Sequence, residues 1–390
     1  MNTRSPISRR PLRVLHCVSH LALGGAERIA LTIITALRAE IDFGLYAVRG
    51  LGDGTVGESL RDEVAQLGIP LYLGAPVPMR FGGMITGAVG LAAAARRFAP
   101  EVIHLHTEIP EASYAALAAV RPSLARVPLV RTIHNSVYWE FWRPLGRWSD
   151  RRMSRSLCAA VSADALKAVR RLRAESGAAP FSAEPLVIYS AVAPGPAKTV
   201  QAALASDELR IIFGGRFEPE KGADLLPQIL REAIVPAGRR CRLWIFGSGT
   251  HAPQLRALAA ASPAGWAVEV HPPVADFRAR LVEADIAIVP SRFEGLGLVA
   301  IEAALAGVPL VVTDAPGLRE AVPPEHPWRA SPGDPGGFAT ALSDALAHPE
   351  RWPAAVRAAQ RFAAERFSMA AMRDSYRALY RQSLEQPRTS

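Results

Sequence analysis

Two glutamates interrupt the otherwise apolar stretch SRFEGLGLVAIEAALAGVP (residues 291–309): Glu294 and Glu302, with Gly295 and Gly297 between them. In one continuous helix, eight residues would set the carboxylates roughly 12 Å apart along the axis. That is wider than the roughly 5 to 9.5 Å of a glycosidase acid pair. The glycines argue instead for a loop carrying Glu294 and a helix starting near Leu298, with Glu302 close to its first turn. The two acids then do different work: a carboxylate at a helix entrance suits the paired hydroxyls of a ribose, and one in the preceding loop suits the hydroxyls of another sugar. Gly295, Leu296, Gly297 and Leu298 offer backbone N–H groups to the same ligand.

Arg216 and Lys221 share one short connection, FGGRFEPEKG, and Lys221 is one of only three lysines in the chain. A forked guanidinium beside a compact ammonium is a combination suited to a diphosphate, although an ordinary solvated loop is the plain alternative. Near the start, LALGGAER places Gly24 and Gly25 where backbone can approach a phosphate or a sugar closely; a simple tight turn would look the same. TIHNS puts His134 where a strand leaves the core, as a cleft hydrogen-bonder or a satisfied core histidine. His104 and His106 in HLH lie on one side of a strand. They lack a third spaced histidine or an acidic cluster, so a metal site is not expected. FGSG (246–249) is a glycine turn without the full GxGxxG and its downstream acid, weak support for a dinucleotide.

Strands must end at each of these positions. Short apolar or β-branched runs at 13–18, 43–48, 69–73, 102–106, 129–134, 157–162 and 186–190 alternate with amphipathic stretches such as 25–40 and 165–174. The rhythm pauses over AVAPGPAKTVQAALASDE (191–208) and restarts at 210–215, 242–249, 268–272, 286–291 and 309–314. Such alternation predicts an α/β protein of two Rossmann-like, doubly wound parallel-sheet domains facing a cleft, with ligands at the carboxyl ends of the strands. The expected domains are 12–190 and 209–355, joined by the linker 191–208. A helical segment over 356–385 is expected to pack back towards the first domain.

Composition narrows the partners. Basic residues exceed acidic ones by nine, which favours an anionic partner, but no run of four or more basic residues marks a nucleic-acid tail. The three cysteines form no CxxC pair and suit a reducing, cytoplasmic setting. The apolar start is broken by His16 and His20 and is read as a first strand rather than a leader. GGMITGAVGLAAAA (82–95) falls short of a membrane span. VYWEFWRPLGRWSDRRMSR (137–155) gathers Trp139, Trp142 and Trp148 with Arg143 and Arg147, a mixture suited to an acceptor surface or a membrane interface. A core-facing aromatic helix with an arginine-coated outer face is the alternative.

GGAER, GRFEPEKG and PSRFEGLGLVAIEAALAGVPLV, in that order and at these spacings, resemble the signatures of the retaining nucleotide-sugar glycosyltransferases of the GT-B fold, glycosyltransferase family 4. The resemblance spans residues 12 to about 370, and the glutamate pair with seven intervening residues is its most specific element. It implies that Glu294 contacts the donor sugar and Glu302 the nucleotide ribose, that Arg216 and Lys221 grip the diphosphate, and that Gly24 and Gly25 line the donor and acceptor side. His134 matches the histidine that reaches the donor sugar. No metal and no cofactor is implied. The implied partners are an NDP-sugar and a hydroxyl acceptor, either lipid-linked or free, with the cytoplasmic face of an anionic inner membrane as a peripheral contact and nucleic acid excluded. TDAPGLREAV departs from the family by placing Pro316-Gly317 where two glycines are usual, which leaves the role of Glu320 open. A GT-B epimerase or phosphorylase, or a non-catalytic membrane-surface or sugar-binding module, are the alternative readings.

Overall fold

The computed structural model describes residues 10–22, 24–52, 55–121, 126–193, 195–198, 207–274 and 276–386. The first sheet contains β1 (Leu12–Val18), β2 (Ile41–Ala47), β3 (Leu71–Leu73), β4 (Val102–His106), β5 (Leu129–Ile133), β6 (Leu157–Ala160) and β7 (Leu186–Val187). Its helices are α1 (Gly25–Leu37), α2 (Thr55–Gln66), α3 (Gly83–Phe98), α4 (Glu108–Val120), α5 (Arg143–Arg152) and α6 (Ala163–Ser176). The second sheet contains β8 (Glu208–Gly214), β9 (Arg240–Phe246), β10 (Trp266–His271), β11 (Ile286–Val289), β12 (Leu310–Thr313) and β13 (Arg329–Ala330). Around it run α7 (Leu226–Glu232), α8 (Ala252–Ala260), α9 (Phe277–Leu281), α10 (Leu298–Leu305) and α11 (Pro335–Ala347), followed by α12 (Trp352–Arg366) and α13 (Met369–Glu385).

Every strand pair is parallel, in the orders β3-β2-β1-β4-β5-β6-β7 and β10-β9-β8-β11-β12-β13. The order reverses between β1 and β4 and between β8 and β11, and those switch points open the crevices where such sheets take ligands. β4 lies inside its sheet, so all five residues of VIHLH are buried, histidines included. The expected helix at 25–40 ends at Leu37, and the expected strand at 186–190 keeps only its first two residues. β13 is a two-residue edge with no periodicity to announce it. Residue 194 and residues 199–206 of the expected linker lie outside the described residues.

The C-terminal stretch forms two helices that break at Phe367 and Ser368, where Ser368 caps α13 by accepting from the Ala371 N–H. Met372, Tyr376, Leu379, Tyr380 and Ser383 form the buried face of α13 at helical spacing. That face packs on α1, β4 and β5 of the first domain, while α12 packs on α10 of the second. One apolar cluster accordingly runs through both domains, from Val14 and Val130 to Ile301 and Val312.

Candidate active site

Glycine starts two helices that face each other across the cleft. Gly24 is the N-cap of α1 and Gly297, at φ 82°, is the N-cap of α10; no side chain caps either one. A left-handed N-cap is natural only for glycine, and it turns the chain sharply from the Glu294 loop into α10. A β-carbon placed on Gly25 would lie 3.7 Å from Leu298 Cδ1, so the two N-termini are neighbours. Two positive helix ends converging on one space make an anion site. Glu302 is the fifth residue of α10, just beyond the first turn expected for it.

The loop before α10 is held from both domains. Lys221 Nζ donates to Glu294 Oε2 at 2.6 Å, and Ser291 Oγ donates to Oε1 at 2.8 Å. Ser136, two residues after His134, donates to the Glu294 carbonyl at 2.7 Å from the first domain. Gly295 lies so close that a β-carbon there would meet the His134 carbonyl oxygen at 2.0 Å. Arg292 fastens the same loop to the Lys221 connection through its N–H to Glu220 O, 2.8 Å, and a paired contact with Asp224. Arg216 reaches Glu220 at 2.7 Å and keeps a largely exposed side chain. The structure thus brings His134, Arg216, Lys221, Glu294 and the glycines of α1 and α10 to one cleft, with Glu302 on the helix behind it.

Burial raises the Glu302 carboxyl to about 7, against the opposing pull of Arg278 and Arg28. Glu27, in the first turn of α1, is raised to about 7 by the same cause, with Arg216 as a counterweight. Its carboxylate fills the space beside Gly24, where a β-carbon would come within 2.2 Å of Oε2. Sequence reasoning passed over Glu27, although a glutamate inside an otherwise buried helix face was the available signal.

The departure at Pro316-Gly317 has a structural answer. Glu294 N–H donates to Pro316 O, and the Gly317 N–H donates to Asp164 at the start of α6, 3.0 Å. Arg319 pairs with the same Asp164, whereas Glu320 accepts from the Ala163 and Asp164 N–H groups and from the Tyr189 hydroxyl. Glu320 therefore caps a helix of the opposite domain and latches the cleft. No sequence signal could have paired residues about 157 positions apart.

His134 is also held from beneath. Its Nε2 is hydrogen-bonded to His106 Nδ1 at 2.8 Å, and His106 Nε2 to His16 Nδ1 at 2.9 Å. His16 supplies the third histidine that the HLH spacing lacked: ligand atoms of His16, His104 and His106 lie within 4.8 Å of one another. Every ring nitrogen of these three is already hydrogen-bonded, so a metal would have to displace that network. Burial lowers the pKa of His16 and of His134 to about 3 and holds His104 and His106 well below the usual range. Thr107, next to His106, adopts φ 71°, a strained backbone of the kind that collects at functional sites.

The aromatic stretch divides. Trp139 turns inward at φ 57° with its ring buried, and its Nε1 donates to Glu111 at 3.0 Å, so it belongs to the interior rather than to an acceptor or membrane surface. It packs beside an ionic centre of fully buried Arg131, Glu111 and Asp150, joined by Arg173. Phe141 is 92% exposed and Trp142 49%. Arg143 is paired with Glu175, Arg147 is half-buried, and Trp148 carries Arg152 over its ring at 4.1 Å. Among the described residues no helix is long and apolar enough to cross a membrane.

Two facing parallel-sheet domains with a helical C-terminus, and loops after β8 and β11 that present Lys221 and Glu294 to the cleft, define the GT-B class of glycosyltransferases. HepE of Anabaena, solved with UDP-glucose, shares the fold at TM-score 0.75 and 19% identity, covering 95% of this chain and 100% of its own. Sucrose-phosphate synthase of Thermosynechococcus elongatus gives 0.74 at 16% identity, covering 95% and 98%. Residues 23–179 match the model described as Glycosyltransferase Family 4, and residues 208–348 the model described as Glycosyl transferases group 1. The chain belongs to the family 4 glycosyltransferases.

A D-inositol 3-phosphate glycosyltransferase of Streptomyces coelicolor is 34% identical over 182 residues, 41% of this chain and 38% of that protein. A glycogen synthase of Mycobacterium tuberculosis is 30% identical over 282 residues, 68% of this chain and 64% of its own. The chain spans less than two thirds of the length of each of these two relatives.

Proposed function

We propose that this chain is a retaining glycosyltransferase that moves a hexosyl group from a UDP- or GDP-sugar to an acceptor hydroxyl, in the assembly of a surface polysaccharide or glycolipid. The observation that carries the reading is the meeting of two uncapped helix N-termini with Lys221, Arg216 and Glu294 in one cleft. The diphosphate lies between the ends of α1 and α10, with Lys221 and Arg216 supplying the positive charge for which other transferases use a divalent cation. Glu302 takes the ribose hydroxyls. A recess of about 310 Å³, lined by Phe217, Ser248, Arg256, His271 and Pro272 among others, is the place for the base. Relatives of this fold that hold UDP or UDP-glucose support a nucleoside-diphosphate sugar and make UDP-glucose the first donor to try.

Among the described residues of the cleft, the Glu294 carboxylate is tied to Lys221 and Ser291 and the Glu27 carboxyl is buried beside Gly24, so neither is placed as a free nucleophile. The acceptor oxygen therefore attacks the anomeric carbon on the face from which the diphosphate leaves. The bond from that carbon to the phosphate oxygen breaks, and the acceptor proton passes to the departing oxygen, giving a glycoside and NDP with the anomeric configuration kept. Contacts of Ser136 and Gly295 across the cleft exclude water, and hence hydrolysis. The acceptor approaches from the first domain. Phe141 and Trp142, with exposed Phe81 just before α3 and Ile85 and Val89 along it, form its apolar border and the peripheral contact with an anionic inner membrane.

A panel of NDP-sugars, read by thermal stabilisation and by product analysis with and without an acceptor, tests this. Stabilisation by one nucleotide series and acceptor-dependent release of NDP, undiminished by a chelator, are expected. Turnover to an epimer without acceptor would establish the epimerase alternative. Vesicle binding without any nucleotide-sugar binding would establish the non-catalytic one.

A further inference from the structure

Six hydrogen bonds run in single file from the cleft to the C-terminal helix. From His134 Nε2 they pass to His106 Nδ1 (2.8 Å), from His106 Nε2 to His16 Nδ1 (2.9 Å), and from His16 Nε2 to the Tyr380 hydroxyl (3.0 Å). They continue from that hydroxyl to His104 Nδ1 (2.8 Å), from His104 Nε2 to Thr132 Oγ1 (2.7 Å), and from Thr132 to the Tyr376 hydroxyl (3.1 Å). His16, His104, His106, Thr132, Tyr376 and Tyr380 are fully buried. A neutral imidazole has one N–H and one lone pair, so each member of the file donates once and accepts once. The whole file must then point one way or the other.

If it points inward, His134 donates through Nε2–H. The last hydroxyl proton, on Thr132 or Tyr376, then has no acceptor among the described residues, and the His134 Nδ1 lone pair is unpartnered as well. If it points outward, Tyr376 donates to Thr132, Thr132 to His104, His104 to Tyr380, Tyr380 to His16, His16 to His106 and His106 to His134. Every proton inside is then used. The one left over is on His134 Nδ1, the nitrogen with no partner among the described residues. Leaving one buried polar atom unmet costs less than leaving two.

We propose that this file is a tautomer relay by which Tyr380 of α13, through His16 and His106, holds His134 as the Nδ1–H form and so makes it a hydrogen-bond donor to an oxygen of the bound ligand. His134 then acts as a neutral donor and not as a base. His16, His106 and Tyr380 are positioning residues, and docking of α13 on the first sheet becomes a condition for a correctly set site. The tautomer itself does not depend on the glycosyltransferase reading; the identity of the ligand oxygen does.

The test is long-range ¹H–¹⁵N correlation of the full chain labelled at histidine, without ligand. The expected result is Nδ1–H at His16, His104, His106 and His134 alike, against the Nε2–H form that an unrestrained side chain favours. In Tyr380→Phe the donor to His16 Nε2 is gone, so His16, His106 and His134 should shift towards Nε2–H, with kcat falling about tenfold and KM for the donor changing less. Tyr376→Phe, which leaves the Tyr380 step in place, should keep the His134 tautomer. Nε2–H at His134 in the wild type overturns the proposal, as does an unchanged His134 signal in Tyr380→Phe or stoichiometric metal bound by the three histidines. The wild-type spectrum decides even if Tyr380→Phe fails to fold. Because it is recorded without ligand, it stands or falls apart from the activity assay.

Discussion

The Lys221 ammonium lies 2.6 Å from Glu294 Oε2, joining the loop after β8 to the loop after β11 across the switch point of the second sheet. Neither charge is spent on the fold alone: the lysine side chain keeps a quarter of its surface open to the cleft, and the glutamate also holds Ser291. Lys221→Ala is expected to lower kcat about a hundredfold, the usual scale for removing one charge-stabilising donor. Steady-state kinetics check it, and unchanged turnover would remove Lys221 from the mechanism. Lys221→Arg should recover only part of the loss, because a forked guanidinium does not fit the same single contact.

Gly295 and Gly25 separate close approach from mere proximity. A methyl at residue 295 meets the His134 carbonyl at 2.0 Å, whereas one at residue 25 meets only Leu298 Cδ1 at 3.7 Å. Gly295→Ala should hold the cleft open and abolish most transfer while the thermal midpoint of each domain is little changed. Gly25→Ala should leave closure unhindered, a 3.7 Å contact being ordinary packing, and should lower transfer only through the space its methyl takes from the diphosphate between α1 and α10. Small-angle scattering of the two variants with nucleotide present would show the difference in closure.

The proposed ribose contact of Glu302 predicts that nucleotide binding depends on pH. Burial holds its carboxyl near 7 without ligand, and accepting two ribose hydroxyl hydrogen bonds favours the charged form and lowers that value. Binding therefore releases a proton, and affinity should rise from pH 5 to pH 7 and then level off. Calorimetry in buffers of different ionisation enthalpy measures the release. Glu302→Gln should bind more weakly and lose its share of the slope, leaving any share due to Glu27, whose carboxyl is also near 7.

The histidine file makes the fold sensitive to acid. The folded-state values are depressed, to about 3 for His16 and His134 and well below normal for His104 and His106. Below the unfolded value of about 6.5 the unfolded chain takes up protons that the folded chain refuses. Stability is therefore full above that pH and is lost as the pH falls, by at most about 1.4 kcal/mol per pH unit for each histidine. Urea unfolding at pH 7.5, 6.5, 5.5 and 5 should show the steep decline, and His104→Gln should make it shallower.

Local patterns carried the architecture. Alternating apolar runs and amphipathic stretches are properties of neighbouring residues, and twelve of the thirteen strands among the described residues can be placed from them; β13, two residues at an edge, has too little length for a period. The glycines that separate Glu294 from Glu302 likewise act on their own backbone, and α10 begins at Leu298 as their placing predicts. Contacts between distant segments were not open to the same reasoning. His16 and Tyr380 are 364 residues apart, and only the return of α13 to the first sheet puts the tyrosine hydroxyl on the histidine. Trp139 reads as a surface aromatic from its arginine neighbours, but buried Arg131 and Glu111 provide the polar partners that let Tyr138 and Trp139 turn inward. The sequence alone assigns Glu320 no role because its partners, the first N–H groups of α6, belong to the other domain. The sequence by itself determined which side chains have the chemistry for a nucleotide sugar, because residue type and short spacing are local. Which of them share a cleft, and which way the protons beneath His134 point, only the tertiary structure decided, since both follow from packing between segments hundreds of residues apart.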